Sequence, residues 1–301
     1  KVIFFSNMNN IKKNIHFIIE LASLSPLRYP GGKTRAIKEI TSKYIIPNLS
    51  KGQKICSPFF GGGSIELYLA DNGYKVTGYD DFGPLVDFWK TARREPRKLS
   101  KKVSSYSPLS KTNFRKIQHE FRENNRSYSQ IKRAALFYVL NRTSYSGTTL
   151  SGGMAVDKAK RGVARTNPRF NKNSIEKIAK FSVKNFTVSK MSFRKSIDKN
   201  KNSLIYADPP YFLKDKGMLY GNQGDKMFSE KDHIDLSEIL NKLKTKKWIL
   251  SYNDDKYVRK LYSNRQIVKP KLWAYGMREN LNKRNAKDSS EILVLSDGIK
   301  I

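Results

Sequence analysis

The stretch LIYADPPYF, Leu204 to Phe212, sets an acid, two prolines and an aromatic ring at the end of an apolar run. Proline has no N–H and fixes φ, so Pro209 and Pro210 end a strand and stiffen the chain beyond it. Asp208 can offer a carboxylate oxygen, and Pro209 a main-chain carbonyl held still between ring constraints. Two such acceptors suit the two hydrogens of one exocyclic amine on an aromatic base. That amine is a poor nucleophile because its lone pair is delocalised into the ring. Drawing both hydrogens onto acceptors pulls the nitrogen toward tetrahedral geometry and turns its lone pair toward an incoming methyl group. Tyr211 can stack on the base, a contact worth about 1–3 kcal/mol. Positioning and stabilisation of a developing cation carry most of such catalysis, so the carboxylate need not be a strong base. A base inside a duplex must be flipped out to reach the shelf.

A second cluster is CSPFFGGGSIELYLA, three glycines between a strand-like and a helix-like segment. Glycine permits a sharp turn and close approach of a ligand to the backbone. Asp80 closes the next apolar run, YKVTGYD, and a carboxylate there can accept from both hydroxyls of a ribose. The dinucleotide fingerprint Gly-x-Gly-x-x-Gly fails, because counting from Gly61 and Gly63 its third position is Glu66, which would face a pyrophosphate. The phosphate-binding Gly-Lys-Ser/Thr pattern does not follow these glycines either. A cofactor with a ribose and no phosphate fits better, and S-adenosylmethionine is one. Upstream, RYPGGK spans Arg28 to Lys33; Lys33 can pair with a cofactor carboxylate, and Tyr29 can lie against the ligand.

These residues need strands that end together. Apolar runs at QKICSPFF, YKVTGYD, NFTVSKMSF, SLIYADPP, KKWILSYND and SEILVLSDG predict strands. TRAIKEITSKYI, with Thr34 as N-cap and Ile37, Ile40 and Tyr44 at helical spacing, predicts a helix, as does IELYLADNG, closing near Gly73. SEKDHIDLSEILNKLK predicts a helix capped by Ser229 with Leu236, Ile239, Leu240 and Leu243 on one side. The alternation argues α/β. Residues 90–133 differ, with 14 Lys or Arg, 3 Glu and no Asp. Helices are expected there at KTNFRKIQHEFREN and QIKRAALFYVL. The following NRTSYSGTTLSGGMAVDKAKRGVARTNPRF reads as a hairpin or loop region outside the core. The expected organisation is an N-terminal extension over 1–24, a core over 25–89 and 171–301, and an inserted, mostly helical basic unit over 90–170.

Composition narrows the partner. Fifty-nine Lys and Arg against 26 Asp and Glu give a formal net charge of +33 over 301 residues. A field of that size draws polyanions, and Lys and Arg on phosphates release counterions, so nucleic acid is the expected partner and an anionic membrane the alternative. No apolar run approaches the roughly 20 residues that span a bilayer. IHFIIELA, near the beginning of the sequence, lacks the pattern of a signal peptide and reads as an amphipathic helix. The single cysteine, Cys56, allows no internal disulfide and fits a reducing compartment, where the DNA lies. With His16, His119 and His233 scattered, no metal cluster is expected.

The order of motifs resembles the DNA N6-adenine methyltransferases of the alpha group, the Dam-like class. That family runs Pro-Gly-Gly-Lys, Phe-x-Gly-x-Gly, a recognition insertion, then Asp-Pro-Pro-Tyr. This chain has PGGK at Pro30 to Lys33, FFGGG at Phe59 to Gly63, a basic insertion, and DPPY at Asp208 to Tyr211. YDDFGPLVDFW, FYVLNRTSYSG and AKDSSEILVLS also resemble family segments, extending the likeness over about residues 26–297. The resemblance implies a Rossmann-like methyltransferase core with S-adenosylmethionine held by Tyr29, Lys33, Phe59, Gly61, Gly63, Asp80, Phe193 and Asp208. It implies that Asp208, Pro209, Pro210 and Tyr211 hold a target adenine, in double-stranded DNA. DNA contacts are expected over 142–165, from Arg142, Tyr145, Lys158, Lys160, Arg161 and Arg165. Two positions depart from the family, Ser57 and Ser192, where acids are usual; Glu66 or Asp81 can make good a lost carboxylate. A fold that has lost catalysis is the competing reading. Asp-Pro-Pro-Tyr favours adenine over cytosine-N4 or RNA targets, whose enzymes tend to open the motif with Ser or Asn.

Overall fold

The computed structural model describes residues 24–29, 32–34, 36–155, 169–212, 228–243, 246–270 and 291–301. Among them the strands are β1 (Ile55–Ser57), β2 (Val76–Asp80), β3 (Phe186–Lys190), β4 (Leu204–Ala207), β5 (Trp248–Asn253), β6 (Gln266–Val268) and β7 (Glu291–Leu295). They form one sheet in the order β3-β2-β1-β4-β5-β7-β6. The first five strands in that order pair in parallel, and β7 runs antiparallel to both β5 and β6. Every residue of β1, β4 and β7 is buried, whereas β3 and β6, at the edges, have exposed positions. Inner strands of a parallel sheet are covered on both faces, which is why they read as continuous apolar runs.

The order reverses between β1 and β4, so the connections leaving these strands diverge and open a crevice at their carboxyl ends. The FGGG turn follows β1 and the DPPY shelf follows β4. The segment 37–48 starts as α1 (Ile37–Ile40), widens into a π-turn at Thr41–Ile45 and tightens into a 3₁₀ turn at Ile46–Asn48. Thr41 Oγ1 donates back to Ile37 O at 2.7 Å, a bond that competes with the regular helix ladder. Ala36, not Thr34, occupies the cap position, without a side-chain cap; Ile37, Ile40 and Tyr44 are buried as their spacing predicts.

The other helices are α2 (Ser64–Asp71), α3 (Gly83–Arg94), α4 (Pro96–Ser104), α5 (Lys111–Asn124), α6 (Gln130–Thr143), α7 (Lys172–Ala179), α8 (Phe193–Lys199), α9 (Glu230–Lys242) and α10 (Lys256–Leu261). α9 begins at the expected Ser229, whose side chain takes the Asp232 N–H while Asp232 takes the Ser229 N–H, a reciprocal cap. α6 is longer than expected, taking in Asn141, Arg142 and Thr143, and Ala134 to Asn141 are all buried. It packs on α3, and its apolar residues join one cluster with Leu99, Phe114 and Phe121 and with Ile55 and Val76 of the sheet. Each such side chain contributes about 1.5–3 kcal/mol.

Two further expectations are corrected. Met191 to Phe193 do not extend β3; the strand ends at Lys190 and Phe193 opens α8. Residues 144–155 are not wholly outside the core, since Leu150 joins the main cluster and Ser144 and Thr149 are buried, while the antiparallel bridge between Ser144 and Met154 fits the expected hairpin. The IHFIIELA helix lies outside the described residues.

Candidate functional site

An open cleft of about 470 Å³ sits at the sheet's reversal, lined by Tyr29, Gly32, Lys33, the FGGG turn, Glu66, Tyr206, Asp208 and Pro210 among others. The turn takes its shape from two left-handed glycines, Gly61 at φ 48° and Gly63 at φ 68°, a region unfavourable for side-chain-bearing residues. A Cβ on Gly61 would also sit 2.8 Å from the Tyr29 ring, which packs on the turn. Asp80, at the end of β2, accepts from Gly61 N and Phe82 N, each at 3.0 Å. Trp89 Nε1 clamps the turn from behind by donating to Gly61 O at 2.9 Å. Burial pushes the Asp80 carboxyl up to about 6, against the pull of those backbone N–H groups. Both Asp80 oxygens are therefore in use on the backbone, with lone pairs left for further donors.

Lys33 spans the cleft. Its Nζ donates to both Asp208 oxygens, at 2.7 and 2.8 Å, lies 3.9 Å from Glu291 Oε2 and sits 4.9 Å from the centre of the Tyr211 ring. Burial raises the Asp208 carboxyl above the usual carboxylate range, opposed by Lys33 and then by Ser251. Sheet register explains Ser251: β4 and β5 pair Ala207 with Leu250, so Ser251 and Asp208 are the next residues out on neighbouring strands. Tyr211 is buried and stacked on Tyr252 at 6.1 Å, and Tyr252 bonds His233 of α9. Asn253 Nδ2 donates to Phe212 O at 3.0 Å, so β5 pins the chain leaving the shelf. Burial lowers His233 to about 4, making it a neutral imidazole.

The aromatic wall is formed by Phe59 and Phe193, stacked at 5.4 Å and 27°, with Phe228 against both at 5.6 and 5.5 Å. Thus Tyr29, Lys33, Phe59, Gly61, Gly63, Asp208 and Pro210 converge on one cleft, with Asp80, Phe193 and Tyr211 in the layer behind.

The predicted DNA-facing residues divide. Tyr145 is 64% exposed. Arg142 is half-buried, and its Nε and Nη2 donate to Arg169 O at 3.0 and 2.8 Å. Lys158, Lys160, Arg161 and Arg165 lie outside the described residues. Arg28, not singled out from the sequence, joins Arg142 and Arg169, and burial followed by those two guanidiniums lowers it to about 10. Asn141 ties this group to the cleft, accepting from Arg28 N at 2.9 Å and donating to Arg28 O at 2.7 Å, one residue from Tyr29. Its signal was the Asn before Arg142 in FYVLNRT. Glu291 and Ser251 were missed because only strand pairing brings them to Lys33 and Asp208.

A seven-stranded, mostly parallel sheet reversing at β1 and β4, with Asp-Pro-Pro-Tyr at the reversal, defines a Rossmann-like methyltransferase. Residues 29–274 match the profile of the D12 class N6 adenine-specific DNA methyltransferases, and the chain belongs to that family. It is 26% identical over 261 residues to the Type II methyltransferase M.MjaIII of Methanocaldococcus jannaschii, covering 81% of this chain and 89% of that one. It is 22% identical over 250 residues to a DNA adenine methylase of Vibrio cholerae, covering 80% and 85%. With the DNA adenine methylase of Escherichia coli K12 it shares 25% over 190 residues, 62% and 64% of the two chains. The protein is therefore an adenine-specific DNA methyltransferase, which uses a methyl donor and takes DNA as substrate. Among the described residues, no group of His, Cys, Asp and Glu could hold a metal, and no helix is long and apolar enough to cross a membrane.

Proposed function

We propose that the donor is S-adenosylmethionine and that the acceptor is the N6 amine of an adenine flipped out of double-stranded DNA at a specific site. One observation carries this reading: Asp208, Lys33 and the FGGG turn line a single cleft although up to 175 residues separate them in the chain. The cofactor supplies an electrophilic methyl carbon on a sulfonium. Tyr29, Phe59, Gly61, Gly63 and Phe193 hold its adenosine portion, Asp80 accepts from its ribose, and Lys33 faces its carboxylate.

Asp208 and the Pro209 carbonyl accept the two hydrogens of the adenine amine. Asp208 has lone pairs beyond those Lys33 uses, so it can serve both. As the nitrogen gains its methyl group it becomes cationic, and the same two oxygens stabilise that charge. Asp208 then receives the surplus proton. Pro210 walls the pocket and Tyr211 stacks on the base. Residues 90–170 form the target-recognition unit. Arg142 and Tyr145, with Lys158, Lys160, Arg161 and Arg165, address the DNA backbone and the bases beside the target.

The test is transfer of labelled methyl from S-adenosylmethionine to unmethylated duplex DNA, followed by digestion to nucleosides. Label in N6-methyladenine alone is expected, with heat-separated strands far poorer substrates. Label in cytosine, or equal rates on separated strands, would overturn the corresponding part.

A further inference from the structure

One buried acid of the cleft has no part in the transfer of the methyl group. Glu66, in the first turn of α2, is 4% exposed and lines the cleft, and its Oε1 accepts from Ser57 Oγ at 2.7 Å. We propose that Glu66 receives the α-ammonium group of the cofactor's methionine portion, with Ser57 holding the carboxyl in the receiving orientation. This rests on the S-adenosylmethionine reading.

Charge singles this residue out. The cleft's ammonium, Lys33, bonds Asp208, has Glu291 as a second neighbour at 3.9 Å and in this reading also faces the cofactor's carboxylate. Three carboxyls, Glu66, Asp208 and Glu291, thus share one lysine, in a chain whose formal net charge is +33. A buried carboxylate without a matching cation is costly and tends to neutralise instead. Burial accordingly pushes Glu66 up to about 7, opposed first by the Ser57 hydroxyl. Asp208 is reserved for the target amine, Asp80 is assigned to the ribose, and Glu291 stands beside Lys33 without lining the cleft. That leaves Glu66 as the acid placed for a cationic end of the ligand.

The ammonium is distinguishable from the sulfonium by choice of probe. Calorimetric titration of the full chain would use S-adenosylhomocysteine, which has no sulfonium, and its analogue lacking the α-amino group. With the wild-type protein, loss of the amino group should weaken binding about 10- to 100-fold. Glu66→Gln should bind S-adenosylhomocysteine that much more weakly and no longer distinguish the two ligands. A second readout needs no variant. Below pH 7 the wild-type protein should release protons on binding S-adenosylhomocysteine and fewer on binding the analogue. Lys33, Asp208 and Tyr206 face Glu66, and Asp80 titrates near 6, so the difference between the ligands is the informative quantity. Equal affinities or equal proton release for the two ligands overturns the assignment. So does a Glu66→Gln protein that weakens S-adenosylmethionine more than S-adenosylhomocysteine, since the carboxyl would then serve the sulfonium. Failure of the wild-type protein to bind either cofactor form would instead bring down the cofactor reading, and this one with it.

Discussion

The cleft at the ends of β1 and β4 holds Glu66 and Asp208 around Lys33, whereas residues 90–133 carry 14 Lys or Arg against 3 Glu. The first region is buried, hydrogen-bonded and acidic, and it suits a small cation. The second presents its basic side chains from helices whose apolar faces are sunk in the core, and it suits a polyanion. Chemistry demands fixed distances, so the cleft is built from strand ends, turns and paired side chains. Attraction to a phosphate backbone needs charge density more than exact placement, and lysines and arginines on exposed helix faces have that density.

The largest effect that separates the two regions is expected at Asp208. Asp208→Ala removes an acceptor of the target amine and should lower turnover by about 1,000-fold or more. S-adenosylmethionine affinity should change only a few-fold, because Lys33 retains Glu291 nearby. Single-turnover kinetics beside a binding titration checks both; near-normal turnover would end the role assigned to the shelf.

Salt acts on the other region. Affinity for nonspecific duplex should fall about 10³-fold or more between 50 and 200 mM salt if six or more phosphates are contacted. Cofactor affinity should move little over the same range, being set inside the cleft. A flat DNA response would remove the electrostatic reading of the helices.

Asp80→Ala comes next. It should weaken cofactor binding about 10- to 100-fold, partly through the lost ribose acceptor and partly because Gly61 N and Phe82 N lose theirs. Asp80→Asn, which keeps one acceptor oxygen, should fall between the two proteins. An unchanged dissociation constant in Asp80→Ala would take Asp80 out of the site.

How far each region could be read from sequence depends on the same contrast. Left-handed glycines, a strand-ending Asp-Pro-Pro and the Ser229 cap are local in sequence, and each stands where its spacing predicts. α5 spans the predicted KTNFRKIQHEFREN. Pairings set by the sheet were not legible: Lys33 with Asp208 and Glu291 with Lys33; Glu66, one of the two acids offered in place of a carboxylate at Ser57, does meet that serine. No local pattern announces that residues far apart will meet at a strand end. α3 was not singled out for another reason. It opens with proline in its first turn, as does α4 inside the stretch expected to be mostly helical, a favourable start that also resembles a turn when met in sequence. The end of α6 was read as loop because Asn141-Arg142-Thr143 is polar. It is helical because Asn141 and Thr143 are buried and bonded, Thr143 Oγ1 donating back to Val139 O at 2.6 Å.

The smallest effect tests whether the two regions are energetically one body. Asp87 of α3 accepts from Arg133 Nε and from Gln130 Nε2 of α6, the latter at 3.1 Å. Arg133 also donates to the carbonyls of Asn125 and Tyr128, at 3.1 and 3.2 Å, so it keeps partners when Asp87 is lost. Asp87→Ala should therefore cost about 1–2 kcal/mol and not the larger penalty of stranding a buried charge. Because the apolar residues of α3 and α6 share a cluster with β1 and β2, that loss should lower a single unfolding transition seen equally by near-ultraviolet and far-ultraviolet circular dichroism. Cofactor affinity should stay within about two-fold, since Asp87 does not line the cleft. Two separated transitions, with only one moved by the substitution, would mean that the helical half melts independently of the sheet and that the shared core does not couple the two regions.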